Sequence, residues 1–509
     1  MFFKIFSAGT AGIDGYIVEV EADMTKGLPG FSLVGLPNTG IKESKERIKS
    51  AISNSGYRYP NKKIIVNLSP ADIKKEGSHY DLAIALAVLR EMEDIPDNKF
   101  EDIAFLGELS LDGKLKPIKA CTALLLGILK TSNIKKVVIP YDNIQEASMI
   151  PTIEIIPARD LKEVYNFLVD KTHILPINTT QSIDYDEIPI FEDFKDVKGC
   201  QMAKRAAEIA AAGFHNLIMI GPPGSGKTMI ASRLNTIMPD LIDEEYIQVS
   251  QIYSFLGHIP QNLILRKRPF RRPHHTITYS ALIGGGYNSA PGEVVLSHNG
   301  ILFMDEFLEF DKKIVEGLRQ PLEDKQISIS RMNSKFTYPS DFLLIASMNP
   351  CPCGNYLNPK KECTCNDDKI KSYLSRASAP ILDRIDLFVE TTPVPYEDLV
   401  ENKTEEDSKT IKERVANAVQ VQKSRYKTIK INYNSQMNTR HINKYCVLSE
   451  EAKNLLEKAF KQSNLTARSY HRILKVSRTI ADLDFSEIIE LNHISEALNF
   501  RRTFNKYWD

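Results

Sequence analysis

The chain has 509 residues, of which 42% are hydrophobic and 26% are charged. This length excludes a single ordinary core and predicts about three domains of roughly 100 to 200 residues each. The 65 basic residues balance 65 acidic residues, which excludes an overall positive field, so any binding to nucleic acid has to come from a local patch.

The start of the chain and its cysteines indicate a cytoplasmic protein without a membrane partner. The first residues, MFFKIFSAGTAGIDG, contain no basic region followed by a long apolar stretch and no small-residue cleavage site. The sequence has no uninterrupted apolar run of about 18 residues. Four of the seven cysteines fall within residues 351–365, which fits a metal site or reduced thiols better than a disulfide framework.

The elements, taken in chain order, predict an α/β protein with three domains. Residues 1–173 alternate β-rich runs such as KKIIVNLS with helical patterns such as YDLAIALAVLREM, which predicts an α+β domain. Residues 174–195 lack helical periodicity and carry prolines and acids, as linkers do. Residues 196–395 again alternate strands and helices, and residues 396–509 are mainly helical in pattern.

A glycine-rich turn between a strand and a helix is predicted at LIMIGPPGSGKTMIASRL. The turn fits G-x-x-x-x-G-K-[ST], in which backbone N–H groups surround phosphates at a helix N-terminus. The lysine of this motif reaches the β- and γ-phosphates, and the threonine binds Mg²⁺. The motif therefore predicts binding of ATP and Mg²⁺ by Gly221, Pro222, Pro223, Gly224, Ser225, Gly226, Lys227 and Thr228.

A basic segment, RKRPFRRPHHTITYSALIGGGYNSAPG, follows the P-loop helix. Its aromatic residues beside cations suit contacts with the backbone and bases of single-stranded DNA, and its glycines would let it move. The alternative is a solvated loop whose basic residues pair with acids of an adjacent subunit. Adjacent His274 and His275 have no carboxylates nearby in the sequence, so we do not expect them to bind a metal. The predicted DNA contacts are Arg266, Lys267, Arg268, Arg271 and Arg272.

Two further strands end in polar residues that suit ATP hydrolysis. GILFMDEF ends in Asp305, which we expect to hold Mg²⁺ and its hydration shell, and Glu306, which we expect to orient and polarise the attacking water. DFLLIASMN ends in Asn349, whose amide is a candidate for holding that water or contacting the γ-phosphate. Read alone, the acidic pair could instead begin a helix, and the asparagine could cap one.

Four cysteines follow Asn349 in two C-x-C pairs separated by nine residues. Thiolates can bind Zn²⁺ tetrahedrally and so hold a short loop that has no core of its own. C-x-C is tighter than the usual spacing, so reduced structural cysteines or a redox role remain alternatives. We expect a structural zinc staple beside the ATP site, formed by Cys351, Cys353, Cys363 and Cys365.

Two arginines after the cysteines are candidates for acting on a neighbouring subunit. In a ring of P-loop subunits, an arginine from the neighbour stabilises the transition state at the subunit interface. Arg384, in LDRIDL, is the first candidate for this arginine finger and Arg376 is the second. Either arginine could instead form a surface ion pair.

Five motifs together resemble the magnesium chelatase-like AAA+ ATPases, in the branch that includes ComM and YifB. They are GPPGSGKT, RPFRRPHHT, GEVVLSHNGILFMDEF, SMNPCPCG and APILDRIDL. The resemblance covers nearly the whole chain and implies an N-terminal domain of the Lon-protease or ribosomal S5 domain 2 type, a AAA+ module and a helical C-terminal lid. It also implies a homo-hexameric ring and, from the ComM members, a DNA helicase that drives branch migration.

The same resemblance implies a role for a lid arginine and the loss of another activity. In related AAA+ modules an arginine at a T-x-R helix start contacts the γ-phosphate, and LTARSYHRILK places Arg468 there, with Arg472 one turn later. Whether Arg468 serves its own subunit or a neighbour stays open. In the Lon-like region, His79 stands at the serine position and Leu124 at the lysine position, although Ser78 is adjacent, so we expect no peptidase activity.

These observations leave three functions open. The first is an ATPase that translocates on DNA, and the second is a chelatase-type motor that remodels a metal-inserting partner. The third is a regulatory ATPase that recruits protein partners. The residues by themselves predict only an oligomeric Mg²⁺-dependent ATPase. The helicase activity is predicted from the family resemblance alone.

Overall fold

The computed structural model divides the chain into two compact units. Unit 1 comprises Met1–Asp186 and Asp243–Leu265, and unit 2 comprises Glu187–Ile242 and Arg266–Asp509. The residues that the structure describes are 4–92, 95–131, 133–150, 152–177, 192–257, 259–260, 266–285, 290–331, 334–358, 361–394, 405–462 and 466–508.

Unit 1 is built on a mixed β-sheet. Its described strands are β1 Ile5–Ala11, β2 Asp14–Thr25, β3 Gly30–Val34, β4 Lys63–Ser69, β5 Ile103–Phe105, β6 Glu108–Leu109, β7 Leu115–Lys116, β8 Lys136–Pro140 and β9 Glu154–Ala158. Seven of these described strands form one sheet in the order β3-β4-β2-β1-β5-β8-β9. In β4 every second residue is buried, so Ile64, Val66 and Leu68 face the core. The antiparallel pair β1 and β2 places Ile5 opposite Val20 on the same core.

The helices of unit 1 include one from a distant part of the chain. The described helices are Thr39–Asn54, Asp81–Arg90, Cys121–Thr131, Ile144–Ala147, Leu161–Leu168 and Asp243–Phe255. Helix Asp243–Phe255, which follows the P-loop helix in sequence, packs against Cys121–Thr131. The Ala120 N–H donates to the Ser254 carbonyl at 3.0 Å, and Gln251 Nε2 donates to the Ile13 carbonyl. A segment from within residues 196–395 therefore contributes to the core of unit 1.

Unit 2 contains a parallel sheet. Its described strands are β10 Leu217–Ile220, β11 Phe270–Arg271, β12 Gly284–Gly285, β13 Ala290–Pro291, β14 Ile301–Met304, β15 Gln326–Arg331, β16 Ser334–Pro339, β17 Leu343–Met348 and β18 Leu387–Glu390. Five of them form a sheet in the order β11-β14-β17-β10-β18, and every pairing is parallel. The runs LIMI, ILFM and LLIASM are buried throughout, as is typical of strands covered on both faces. The carboxyl ends of β10, β14 and β17 therefore meet at one edge.

The C-terminal helices share a core with this sheet. One apolar cluster contains Leu217 of β10 and Leu343 of β17 together with Val415, Ile480 and Phe500. The described helices of unit 2 are Gln201–Gly213, Lys227–Ile237, Tyr279–Ile283, Glu293–Leu296, Lys312–Gly317, Arg319–Asp324, Asp367–Leu374, Ala379–Leu382, Ser408–Arg425, Thr439–Tyr445, Glu450–Gln462, Ala467–Leu483 and Leu491–Trp508. The predicted mixed α/β class is confirmed.

Unit 2 also contains two short antiparallel hairpins, β12–β13 and β15–β16, which are separate from the parallel sheet. They lie against each other, because a Cβ added to Gly284 would fall 2.7 Å from Ile329 Cδ1. The sequence-based prediction lacks both hairpins. In the described part of the chain, no helix is both long and apolar enough to cross a bilayer.

Candidate ATP site

The glycine-rich turn forms a phosphate-sized loop at the carboxyl end of β10. Gly224 and Gly226 have φ of +77° and +79°, in the left-handed region that favours glycine. A Cβ on Gly221 would fall 2.2 Å from Thr391 Oγ1, so only glycine fits against β18. The turn leads directly into helix Lys227–Ile237, whose N-cap Gly226 provides no side-chain cap, so the first N–H groups of the helix can bind an anion. This is the strand, turn and helix arrangement that the motif requires.

Lys227 folds back over the loop. Its ammonium donates to the carbonyl oxygens of Gly221 at 2.6 Å and Pro222 at 2.9 Å. Burial lowers the pKa of Lys227 to about 8, and the nearby carboxylates of Asp305 and Glu306 offset part of this effect. The lysine is thus a partly desolvated cation, which favours contact with a phosphate, and the two acids help to keep it protonated.

The two acids predicted for catalysis lie beside the P-loop. Thr228 Oγ1 donates to Asp305 Oδ2 at 3.1 Å, so the two expected Mg²⁺ ligands touch each other. Glu306 has φ of +53°, an uncommon conformation for a residue other than glycine, and its side chain is 58% exposed. Asp305 is 21% exposed. The less exposed acid suits metal binding, and the more exposed acid is accessible to a water molecule.

Ser347 joins both acids and is absent from the sequence-based prediction. Its hydroxyl donates to Asp305 Oδ1 at 2.5 Å and accepts from the Glu306 N–H at 3.2 Å. The signal for it was a single polar residue near the end of the buried strand LLIASM. Asn349 follows the end of the same strand, where Met348 pairs with Ile220 of β10. The structure therefore brings Asn349 to the edge that carries the P-loop.

The four cysteines form one cluster. Their Sγ atoms all lie within 4.8 Å of one another. The separation is 3.4 Å between Cys351 and Cys353, 3.7 Å between Cys351 and Cys363, and 3.6 Å between Cys353 and Cys363. Four sulfurs at about 2.3 Å from a tetrahedral Zn²⁺ would be about 3.8 Å apart, so the donor set fits zinc. The same loop rests on the P-loop, since a Cβ on Gly354 would fall 2.7 Å from Pro223 Cδ.

Arg384 lies at the opposite edge of the sheet. Its carbonyl accepts from Asn216 Nδ2 at 2.9 Å, and Asn216 Oδ1 accepts from the Leu344 N–H at 2.9 Å. Asn216 immediately precedes β10, so these contacts mark the amino-terminal edge. The Arg384 guanidinium donates to the Pro380 carbonyl and pairs with Glu323. The first candidate for the arginine finger is therefore at the far end of β10 from Lys227.

The lid arginines share this amino-terminal edge. Arg468 lies 3.8 Å from Asp383, and Arg472 lies 3.6 Å from Asp386 and donates to the Ile385 carbonyl. Burial and then the charges of Arg319, Arg468 and Arg472 lower the pKa of Arg384. A cavity of about 670 Å³ opens here, and its lining includes Glu323, Arg384, Arg468, His471, Arg472 and Lys475.

Arg376, the second candidate for the finger, forms a surface contact. Its guanidinium donates to the Leu308 carbonyl at 2.8 Å and pairs with Glu309 at 3.2 Å. The side chain is 48% exposed. This is the ion pair that the sequence left as the alternative.

The five basic residues predicted to contact DNA do not form one surface. Arg268 is 2% exposed, and it donates to the Pro239 and Asn299 carbonyls at 2.7 Å and to the Tyr433 hydroxyl at 2.9 Å. Lys267 pairs with Asp240 at 3.0 Å. These contacts make Arg268 a buried structural residue and leave Lys267 at the surface.

The other three basic residues have different surroundings. Arg271 makes a two-pronged contact with Glu293, at 2.6 and 2.8 Å. Arg272 donates to Asp305 Oδ2 at 2.6 Å and so belongs to the surroundings of the acids. Arg266 is exposed. Of these three residues, Arg266 is thus exposed, Arg271 forms a structural ion pair and Arg272 belongs to the ATP site.

In unit 1, the residues at the peptidase positions do not form a serine and lysine pair. Ser78 Oγ donates to a carboxylate oxygen of Glu108. Burial lowers the pKa of His79 to about 4, so this imidazole is neutral at pH 7. Leu124 is fully buried in helix Cys121–Thr131. The expected absence of peptidase activity stays a prediction.

The sheet order, the P-loop and the acidic pair fit a P-loop protein of the AAA+ type. Three family models match: Magnesium chelatase, subunit ChlI over residues 193–399, Subunit ChlI of Mg-chelatase over 20–143, and Magnesium chelatase, subunit ChlI C-terminal over 405–501. The chain is 39% identical to Uncharacterized protein YifB of Escherichia coli over 499 residues, which cover 98% of this chain and 96% of YifB.

A second full-length relative is Competence protein ComM of Haemophilus influenzae. It is 38% identical over 502 residues, which cover 98% of this chain and 97% of ComM. The chain therefore belongs to the magnesium chelatase-like ComM/YifB family, which confirms the resemblance. Archaeal Lon protease of Pyrococcus abyssi is 33% identical over 93 residues, which are 18% of this chain and 9% of that protease.

Proposed function

We propose that this chain is a Mg²⁺-dependent ATPase that assembles into a homo-hexameric ring and couples ATP hydrolysis to movement on DNA. The observation that carries the ATPase activity is the set of contacts at one sheet edge. Lys227 lies over the P-loop, 2.6 Å from the Gly221 carbonyl, while Thr228 and Ser347 both donate to Asp305, at 3.1 and 2.5 Å. These residue types at this position are what phosphoryl transfer to water requires.

Each residue has a distinct role in the proposed reaction. The N–H groups of the turn and the Lys227 ammonium hold the phosphates, and Glu306 polarises the attacking water. Thr228 and Asp305 would hold Mg²⁺, which neutralises charge on the phosphates when it is bound. Asn349 orients the water or the γ-phosphate. The backbone at Glu306 lies in the left-handed region and its side chain is 58% exposed, so its carboxylate is accessible to water.

The arginines complete the site from a second copy of the chain. β10 has four residues and therefore spans about 13 Å between Asn216 at one edge and the P-loop at the other. Arg384 and Arg468 lie at the Asn216 edge, so neither is placed to touch the phosphates of its own subunit. We infer that both act on a neighbour's ATP, which assigns Arg468 a role in trans.

The cysteine cluster would hold a structural Zn²⁺ that fixes the loop against Pro223. Zinc supplies only structure in this arrangement, because four protein thiolates fill its coordination. Metal analysis of purified protein tests this proposal, with one zinc per chain as the expected result. The matched variant Cys363→Ser should lose the metal, whereas Cys446→Ser, outside the cluster, should retain it. Wild-type protein purified without a chelator and lacking zinc would contradict the proposal.

The proposed movement on DNA rests on different observations from the proposed ATP hydrolysis. It is supported by the ComM/YifB membership, by the name of the competence relative and by the exposed basic side chain of Arg266. One observation favours a second candidate, a motor that remodels a protein partner. Lys267 and Arg271 are already paired with carboxylates, so their charge is partly neutralised before any polyanion arrives.

Steady-state ATP turnover separates the two candidates. It is measured at low salt without DNA, with single-stranded DNA and with branched DNA, and Lys227→Ala is the blank. The test variant is Arg266→Gln with Lys267→Gln, because Arg272 contacts Asp305 and its loss would affect hydrolysis directly. If DNA increases wild-type turnover and the double variant loses that increase, the DNA motor is supported. Wild-type turnover that no DNA changes would favour the protein-remodelling motor.

A further inference from the structure

Arg272 reaches a carboxylate that the proposed function assigns to Mg²⁺. Its Nη2 donates to Asp305 Oδ2 at 2.6 Å, and the same oxygen accepts from Thr228 Oγ1 at 3.1 Å. The guanidinium also lies 5.4 Å from the centre of the Phe303 ring, a buried residue of β14. The arginine is thus held on one side by the metal-binding acid and on another by an aromatic face.

The second acid is approached by the same short segment. His275 Nδ1 lies 3.6 Å from Glu306 Oε2, and the His275 ring packs against His274 with centroids 4.2 Å apart. Residues 272–275 therefore face both acids of the ATP site. They lead into helix Tyr279–Ile283, which ends at hairpin β12–β13. This segment contacts the two acids through side chains and continues along the chain to the hairpin.

A guanidinium and a divalent cation compete for one carboxylate oxygen. Arg272 is 50% exposed, so its ion pair with Asp305 is weak and can open at little cost. Mg²⁺ requires oxygen ligands at about 2.1 Å in octahedral geometry, which leaves no room for an N–H donor on the same lone pair. Occupation of Asp305 by metal would thus displace Arg272.

We propose that Arg272 is a positioning residue that exchanges with Mg²⁺ on Asp305, so that metal loading releases segment 272–275 and the hairpin beyond it. The proposal rests on the proposed Mg²⁺-ATP site. It gives the basic segment a function that does not depend on DNA contact. The position of hairpin β12–β13 would then depend on whether Mg²⁺ occupies the ATP site.

The first test measures Mg²⁺-dependent binding of a fluorescent ADP analogue to the full chain. Arg272→Gln removes the competing cation and should lower the Mg²⁺ concentration for half-maximal binding by about threefold. Arg271→Gln is the matched control, because it removes an equal charge one residue away that contacts Glu293 instead of Asp305. It should leave the Mg²⁺ dependence as in the wild type. An unchanged or increased Mg²⁺ requirement in Arg272→Gln would overturn the proposal.

The second test follows hydrogen exchange in residues 270–285 with ADP, in Mg²⁺ and in EDTA. Wild-type protein should exchange faster in this segment when Mg²⁺ is present, because the contact to Asp305 has been lost. Arg272→Gln should exchange at the faster rate in both solutions. Protection that Mg²⁺ does not change in the wild type would also overturn the proposal. Failure of wild-type protein to bind the nucleotide at all would instead contradict the proposed ATP site.

Discussion

The two edges of the parallel sheet in unit 2 carry different halves of the proposed chemistry. The carboxyl edge holds Lys227, Thr228 and the two acids, where Thr228 donates to Asp305 at 3.1 Å and Ser347 joins Asp305 to the Glu306 N–H. The amino edge holds Arg384 and Arg468 around a cavity of about 670 Å³. A motif thus indicates the chemistry of a residue, whereas under the proposed function the position of that residue in the sheet decides whether it acts on the ATP of its own subunit or of a neighbour.

The largest effect is expected at the carboxyl edge. Lys227→Ala removes the cation that lies over the P-loop, and ATP turnover should fall by about 100-fold or more because the phosphates lose their charged donor. Nucleotide binding should weaken together with turnover. If the variant kept more than about a tenth of wild-type turnover, the carboxyl edge would not be the ATP site.

Substitution of the finger candidate at the amino edge should greatly reduce ATP turnover while changing nucleotide affinity little. Arg384→Ala should reduce turnover by about 1,000-fold, as expected for an arginine that stabilises the transition state, while the nucleotide Kd changes by less than about twofold. Arg376→Ala, which removes an equal charge from the surface pair with Glu309, is the comparison. A greater loss in Arg376→Ala than in Arg384→Ala would reverse the assignment of the finger.

A third arginine at the amino edge, Arg268, should stabilise the fold rather than take part in ATP hydrolysis. Arg268 is buried and donates to the carbonyl of Asn299, just before β14, and to the Tyr433 hydroxyl. Arg268→Gln should reduce the free energy of unfolding by about 3 kcal/mol, because buried acceptors lose their donors. Lys267→Gln, at the surface pair with Asp240, should change it by less than about 0.5 kcal/mol. Denaturant unfolding measures both, and equal effects would contradict the structural role of Arg268.

The pH dependence of nucleotide binding should reveal the environment of Lys227. Burial lowers the pKa of its ammonium to about 8, and bound phosphate would raise it again. Affinity should therefore be constant below about pH 8 and fall above it, by at most about tenfold per pH unit, because binding then requires uptake of a proton. In Lys227→Arg, which stays charged, affinity should not change between pH 8 and 9. A wild-type affinity that is constant to pH 9.5 would contradict the desolvated lysine.

The sequence predicted those parts of the site whose geometry is local. The P-loop could be read because its glycines, lysine and threonine lie within eight consecutive residues, and Asp305 and Glu306 could be read because a buried strand ends there. The roles of Arg268 and Arg272 could not, because their partners Tyr433 and Asp305 are distant in sequence and composition gives both arginines the same charge.

The missed elements have physical reasons as well. Helix Asp243–Phe255 belongs to unit 1 because of tertiary contacts such as Ala120 with Ser254, which no local pattern shows. Hairpin β15–β16 did leave a signal, since Ile327 and Ile329 alternate with polar residues. Arg384 and Arg468 needed the sheet topology, because only the strand order places both at the same edge.

The most direct test of the two-edge account mixes two inactive variants. Lys227→Ala keeps the arginines of the amino edge, and Arg384→Ala keeps an intact P-loop at the carboxyl edge. In mixed assemblies, each intact P-loop beside a Lys227→Ala neighbour would receive Arg384 from it. We expect equimolar mixing to restore ATP turnover well above the sum of the two variants measured alone, in protein that assembles normally. Mixed assemblies that stay as inactive as the separate variants would contradict the claim that one copy completes the ATP site of another.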